Sequence, residues 1–186
     1  MVVDIFNTSR KYDIIYADPP WMYRDKMKMK GVHGEIRGVA SFYDTMTLKS
    51  IKTLPIKNIS KENSILFMWI TMPMLDKAFQ VMEAWGFTYK TCGFCWIKRT
   101  KNGKIHLGLG HYTRGNSELC LIGIRGKKPT FLTRSLSQIV ESEIRSHSQK
   151  PDIVRDKIIE LMGDLPKIEL FARQQVEGWD CWGNEV

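Results

Sequence analysis

The run Ser64–Ile70, SILFMWI, is apolar at every position from Ile65 to Ile70. It is far shorter than the ~20 residues of a membrane span and has the usual length of a strand. Alternate side chains of a strand point to opposite sides of its sheet, so a strand apolar at consecutive positions is buried on both faces. Both faces must then be covered by other elements. That requirement selects a layered α/β fold with helices on both faces of a mostly parallel sheet.

The rest of the chain supplies matching pieces. Lys11–Ala17, KYDIIYA, reads as another short strand, and Asp18-Pro19-Pro20 stops it because prolines cannot continue a ladder. The glycine-containing, charged stretch Met22–Ser41 reads as a loop, and Leu48–Leu54 as a short helix. Pro73 suits the first position of a helix. Leu75, Ala78, Phe79, Met82 and Trp85 then recur at spacings of three and four, one apolar stripe that Gly86 ends. Thr88–Ile97 and Glu118–Ile124 read as strands joined by a long basic loop. Pro151 opens a helix with Val154, Ile158 and Leu161 on its buried side and Gly163 as its stop. Lys167–Phe171 is a final core strand, and Asp180–Trp182 an edge pairing. At 186 residues the chain is expected to form one domain, 1–186. Ligands of such sheets bind beyond the carboxyl ends of the strands, so the ends at Asp18–Trp21 and Ala172-Arg173 draw attention.

Charge narrows the partner. Lys and Arg outnumber Asp and Glu by 28 to 20, a net +8. Such an excess on a small domain either is a mildly unbalanced solvated surface or suits a polyanion, most often nucleic acid. Its distribution favours the second reading. Lys98, Arg99, Lys101, Lys104 and Arg114 lie in one stretch without an acid, and Arg125, Lys127, Lys128 and Arg134 in another. Arg24, Lys26, Lys28, Lys30 and Arg37 form a third, diluted by Asp25 and Glu35. Basic loops of this kind suit a phosphate backbone. No membrane partner is expected, since no apolar run is long enough and the start MVVDIFNTSR lacks the layout of a signal peptide.

Cys92 and Cys95 have C-x-x-C spacing, but residues three apart on a strand point to opposite faces, and no second pair completes a ligand set. No metal is expected. Cys120 reads as a core filler, and four free thiols, Cys181 included, agree with a reducing compartment. His33, His106, His111 and His147 lack ligand spacing and suit surface or phosphate contacts. Gly108-Leu109-Gly110 lacks the G-K-[ST] of a phosphate loop. Neither G-x-S-x-G nor a Cys–His pair offers a covalent nucleophile.

Asp18-Pro19-Pro20-Trp21 is the most informative run. It sets an acid, a rigid turn and an aromatic plane after a buried strand. The prolines remove two N–H donors and leave nearby carbonyls to accept from a ligand. An exocyclic amine such as adenine N6 donates two hydrogens, which a carboxylate and a backbone carbonyl could hold while Trp21 stacks on the base and Tyr23 extends the platform. A capped strand end with a half-buried Trp explains the same four residues equally well.

DPPW after an apolar strand, LFMWIT at Leu66–Thr71, WIK at Trp96–Lys98, SELCLIGIRG at Ser117–Gly126, Lys150-Pro151, IELFAR at Ile168–Arg173 and Gly183-Asn184-Glu185 occur in one order. In that order and spacing the chain resembles, over nearly its whole length, the adenine-N6 methyltransferase family of eukaryotic messenger RNA methylation, which has bacterial and phage relatives that act on DNA. The resemblance implies a class I S-adenosylmethionine-dependent methyltransferase fold, Rossmann-like, in permuted motif order. It carries Asp4 and Ile5 over as contacts to the cofactor adenine, Lys98 and Asp18 to its methionine end, and Arg173, Asn184 and Glu185 around its ribose. Asp18, Pro19, Pro20 and Trp21 match the catalytic, target-base site. Transfer is direct, with no metal.

Lys26, Lys28, Arg99, Lys101, Lys104, His111 and Arg114, with Tyr23, are the candidate substrate contacts in the basic loops. The chain departs from the wider amino-methyltransferases in having Phe171-Ala172-Arg173 where F-x-G-x-G stands. It departs from the eukaryotic branch in Gln175 and Val176, where that branch has His-Asn. The expected function is methyl transfer to adenine N6 in DNA, with RNA as the alternative substrate and a non-catalytic nucleic-acid-binding scaffold subunit as the alternative role. A homodimer, a location in bacterial or phage-infected cytoplasm, and target recognition borne by loops or a partner subunit complete the expectation.

Overall fold

The computed structural model describes residues 1–22, 45–110, 112–145 and 149–186, and the backbone of two short strands between the first two ranges. The elements in chain order are β1 (Tyr12–Ala17), β2 (Met29–Lys30), β3 (Ile36–Arg37), α1 (Leu48–Lys52), α2 (Ile56–Ile59), β4 (Ser60–Ile70), a 3₁₀ turn (Met72–Met74), α3 (Leu75–Ala84), β5 (Thr88–Arg99), β6 (Ser117–Arg125), β7 (Ile139–Glu143), α4 (Ile153–Met162), β8 (Lys167–Leu170) and β9 (Asp180–Trp182). Seven strands form one sheet in the order β7-β5-β6-β4-β1-β8-β9, and β2 pairs with β3 antiparallel. β1 runs parallel to β4 and β8, and β8 parallel to β9. β6 alone runs the other way, antiparallel to both β4 and β5.

The apolar strands do what their sequence requires. Leu66, Met68 and Ile70 face one layer with Ile15, Ala17, Ile168 and Leu170, under α1–α3 through Ile51, Ile56, Ala78, Val81, Met82 and Trp85. Ile65, Phe67 and Trp69 face the other layer with Ile14 and Tyr16, under α4 through Val154, Ile158 and Met162. Each such side chain contributes about 1.5–3 kcal/mol on burial. The α/β sheet with helices on both faces is therefore observed, and no helix among the described residues is long and apolar enough to cross a membrane.

One strand is new and three local expectations are corrected. β7, in a stretch for which the sequence suggests no element, extends the sheet parallel to β5, with Cys95 opposite Ile139. Phe79 leaves the buried stripe of α3 for an exposed edge contact with Tyr89, ring centroids 5.0 Å apart. In α4 the last buried position belongs to Met162 rather than Leu161. Cys92 and Cys95 do not point to opposite faces. A bulge between Cys92 and Phe94 resets the register, so Cys92 sits opposite Leu121 and Cys95 opposite Leu119, both on one face. Gly93 makes the bulge sterically feasible: a Cβ there would lie 2.8 Å from Ile122 Cδ1. The described residues still contain no cluster of three metal-ligating side chains, and all four cysteines are free.

The topology also fixes where a ligand can sit. From β1 the chain moves through α1 and α2 to β4 on one side, whereas β8 joins the other side of β1 from α4. The crevice where connections diverge thus lies beyond the carboxyl ends of β1 and β8.

Candidate active site

Asp18 follows the last residue of β1 and Phe171-Ala172-Arg173 follow β8, so the two unusual strand ends are neighbours across that crevice. A small cavity of about 30 Å³ lies between them, lined by Asp18, Lys150, Arg155, Glu169, Phe171 and Arg173 among others. Because β6 runs backwards, its first residues reach the same edge. Glu118, opposite Trp96, is carried there on an otherwise apolar strand.

These placements assemble a chain of alternating charge. Lys150 Nζ donates to Asp18 Oδ2 at 2.8 Å and lies 3.2 Å from Glu118 Oε2. Lys98 Nζ donates to Glu118 Oε1 at 2.5 Å. Glu118 and Lys150 are almost wholly withdrawn from water, with side-chain exposures of 7% and 9%. The aromatic floor fits the cations: Lys98 Nζ is 5.2 Å from the Trp96 ring centroid and Lys150 Nζ 5.8 Å from that of Trp69. Burial pushes the Asp18 carboxyl above its ordinary range, and Lys150 offsets only part of that. Burial opposes the charge on Glu118 as well, but two ammonium groups outweigh it and hold that carboxyl low. Lys150 loses hydration by burial, yet Asp18 and Glu118 hold its ammonium above the usual lysine range. A second buried pair supports the crevice from below. Arg155 donates from Nε and Nη2 to the two oxygens of Glu169 at 2.7 and 2.8 Å.

The turn after β8 is strained. Phe171 has φ of +61°, the left-handed region that costs a bulky residue about 1–2 kcal/mol. Packing holds it there: its ring meets Trp182 edge-on at 5.3 Å, and Ala172 N donates to the Trp182 carbonyl at 2.9 Å. Gly183 must be glycine in this arrangement, since a Cβ would lie 2.3 Å from the Ala172 carbonyl oxygen. Asn184 and Glu185 follow, exposed, with Glu185 3.5 Å from Arg173. The N-terminal segment extends the same edge through a parallel bridge between Val2 and Cys181. Asp4 is exposed and accepts from Phe6 N and Asn7 Nδ2 at 3.0 and 2.5 Å, while Ile5 is core. Ile5 therefore has only its backbone to offer a ligand.

Asp4, Asp18, Lys98, Arg173, Asn184 and Glu185 thus all lie at one edge of the sheet. The DPPW turn is less open than its sequence suggests. Trp21 is 4% exposed, and its Nε1 donates to the Trp69 carbonyl at 3.2 Å inside the core. The Pro19 carbonyl already accepts from Trp21 N at 2.9 Å and the Pro20 carbonyl from Met46 N at 3.0 Å, which leaves each oxygen one lone pair. Stacking by Trp21 requires that a face of its ring be uncovered.

Among the substrate candidates, Lys101, Lys104 and Arg114 are exposed on the tip joining β5 to β6, above the site. Arg99 is engaged, with Nη2 2.9 Å from Glu141. Tyr23, Lys26, Lys28 and His111 lie outside the described residues, as do the other side chains of the Arg24–Arg37 segment. The second basic segment does not reach the site: Arg125 pairs with Ser64 near the start of β4, at the opposite edge of the sheet. Sequence reasoning missed Lys150 and Glu118 as members of the site. The available signals were a lone carboxylate inside an apolar strand and a lysine directly before Pro151, two residues ahead of α4.

A family model described as MT-A70 matches residues 12–185. The chain is 39% identical over 189 residues to the Type II methyltransferase M.MunI of a Mycoplasma species, covering 95% of this chain and 78% of that protein. It is 27% identical over 188 residues to the N(6)-adenosine-methyltransferase MT-A70-like protein of Arabidopsis thaliana, covering 99% of this chain and 24% of that protein. It is also 27% identical over 180 residues to the N(6)-adenosine-methyltransferase catalytic subunit METTL3 of Homo sapiens, covering 95% of this chain and 28% of that protein. The chain therefore spans about a quarter of each of these two eukaryotic relatives.

Proposed function

The chain belongs to the MT-A70 family, and from that premise we propose that it transfers a methyl group from S-adenosylmethionine to N6 of adenine in DNA. The observation that carries the reading is the buried sequence Asp18–Lys150–Glu118–Lys98 at the carboxyl end of β1. An amino-acid zwitterion needs charges of both signs at one place, and these residues offer them. Glu118 Oε2 supports the fit further: it is buried 3.2 Å from Lys150 Nζ, and a carboxylate oxygen has a second lone pair with which to accept from a ligand N–H. Asn184 and Glu185 suit ribose hydroxyls, and Asp4 an adenine amine.

S-adenosylmethionine, when bound, supplies the electrophilic methyl carbon and a thioether leaving group. The chain's own work is to hold the amine. The Asp18 carboxylate accepts one N6 hydrogen and the remaining lone pair of the Pro19 carbonyl accepts the other. The nitrogen lone pair is then aimed at the methyl carbon. Transfer would leave the nitrogen cationic, and the adjacent Asp18 carboxylate would stabilise that charge until the proton passes to water. A duplex substrate must present the base flipped out, at a few kcal/mol.

DNA is preferred because the relative named a Type II methyltransferase matches at 39% over most of its length. RNA keeps a place because the relatives matched at 27% are named N(6)-adenosine-methyltransferases. Transfer of tritiated methyl to adenine in matched DNA and RNA oligonucleotides tests both, with incorporation expected into DNA. Asp18→Ala is expected to reduce it at least about 100-fold, as loss of a charge-stabilising group does. Unchanged turnover in that variant would remove Asp18 from the mechanism. The same proposal takes residues 1–186 as one domain, in a cytoplasmic setting that suits free thiols. It also takes a homodimer, for which exposed Leu107, Leu109 and Tyr112 on the β5–β6 tip offer contact area; sedimentation equilibrium checks it.

A further inference from the structure

The basic segment 125–134 has no role at the site and is held firmly elsewhere. Arg125 is level with Ser64 near the start of β4, and its Nη1 donates to the Lys57 carbonyl at 2.9 Å. Lys127 N donates to Asn63 Oδ1 at 2.7 Å. Leu132 N donates to the Leu161 carbonyl, also at 2.7 Å, in the last turn of α4. The segment is thus pinned along the amino-terminal edge of the sheet. From Glu118 to Arg125 is seven steps of β6, roughly 23 Å at about 3.3 Å per residue.

Its charge is unusual. Between Glu118 and Glu141 the sequence has no Asp or Glu. Lys127, Lys128 and Arg134 are exposed, and among the described residues none has a carboxylate partner. Lys128 Nζ lies 4.8 Å and the Arg134 guanidinium carbon 5.4 Å from the centroid of one ring, Phe131. One aromatic side chain therefore gathers two like charges that would otherwise separate. The face continues through Lys57 to an open cleft of about 450 Å³ lined by Lys11, Lys61 and Asn63. Of the two acids in that cleft, Asp13 is already paired with Lys61 at 2.6 Å, which leaves Glu62.

We infer that this edge is a second polynucleotide surface, which holds a phosphate backbone without regard to sequence and apart from the methyl-transfer crevice. Unpaired exposed cations bind polyphosphate by releasing its counterions, a gain that a neutral partner cannot give. DNA is stiff over about 150 base pairs, so one short duplex cannot touch both edges. The surface takes another segment of a long molecule and keeps the enzyme on it between turnovers. The inference rests on the proposed function only for nucleic acid being the partner.

The test uses the whole chain and a duplex of G·C pairs only, which has no adenine for the crevice. Its affinity is followed by fluorescence anisotropy from 50 to 200 mM salt for wild type and the triple variant Lys127→Ala, Lys128→Ala, Arg134→Ala. Loss of three duplex phosphate contacts lowers the logarithmic salt slope by about 2.7, so wild type should lose roughly forty-fold more affinity than the variant over that range. Turnover on a short adenine-containing oligonucleotide should be unchanged, which also shows the variant folded. Wild-type affinity and slope in a folded variant would overturn the inference, and so would transfer of the whole effect to Lys101→Ala, Lys104→Ala on the catalytic edge. Failure of the methyltransferase reading would appear separately, as wild type without turnover.

Discussion

The two edges of the central sheet carry the same kinds of ion pair in opposite surroundings. At the carboxyl edge Lys98, Lys150, Glu118 and Asp18 pair at 2.5–3.2 Å, largely out of water. At the amino edge Arg10–Asp180 and Lys61–Asp13 pair at 2.7 and 2.6 Å, with their cations about half exposed. Distance does not separate the two sets; desolvation does. A solvated pair is worth ~0–1 kcal/mol and loses little when broken. A buried set gains no stability over apolar residues of the same volume, but removing one member strands the others. A charged network of that kind adds nothing that folding needs, so its presence at the carboxyl edge is best explained by what it binds.

The largest expected effect comes from removing the shared cation. Lys150→Met leaves Asp18 and Glu118 buried and facing each other, and a cost of about 3–5 kcal/mol is expected in urea unfolding, with loss of methyl transfer. A cost under about 1 kcal/mol would place this edge in the same class as the other. Glu118→Gln is milder, about 1–3 kcal/mol, because it leaves two cations near a neutral acceptor.

Acid titration sharpens the same contrast with a definite sign. The folded Glu118 carboxyl is held below its ordinary value of 4.5. As pH falls the unfolded chain takes up that proton first, so the contribution of Glu118 is complete above 4.5 and is lost as pH drops through the lower folded value. The stability gap between wild type and Glu118→Gln should therefore shrink steadily below that pH. Asp18 works the opposite way. Its carboxyl is raised above the ordinary 3.8 by burial, so the acid limb of kcat/KM should lie above that value. An acid limb at or below it would mean that the amine does not depend on this carboxylate.

The carboxyl edge was only partly legible in the sequence. SILFMWI announces a buried strand because a run apolar at every position from Ile65 to Ile70 has no other home, KYDIIYA supplies a second one through Ile14–Ala17, and the prolines mark where β1 must end. Asp18 and the residues after β8 could therefore be placed near one crevice. What escaped depends on pairing between distant segments. Residues 118 and 150 meet only because β6 is inverted, and no local pattern reports strand direction. The same inversion carried Arg125–Arg134 to the far edge. The Gly93 bulge shifts one register and brings Cys92 and Cys95 to one face, although an isolated glycine inside an apolar strand is a recognised sign of such a bulge. Trp21 shows the limit of residue type as a guide: an aromatic plane after an acid looks like a stacking platform, yet its N–H is bonded to Trp69 within the core.

The smallest expected effect lies at the amino edge. Lys61→Ala breaks a 2.6 Å pair with Asp13 whose two side chains are 42% and 21% exposed. Water replaces the lost ammonium at little cost, and the long lysine side chain regains its rotamers, so stability should change by no more than about 0.5 kcal/mol. Salt offers a second handle, because exposed charges are screened over about 8–10 Å at moderate ionic strength, whereas buried ones are screened much less. Raising salt should erase what difference Lys61→Ala makes and leave that of Lys150→Met nearly intact. If instead both variants respond to salt alike, the Lys150 network is reached by solvent, and burial cannot be what distinguishes the carboxyl edge from its opposite.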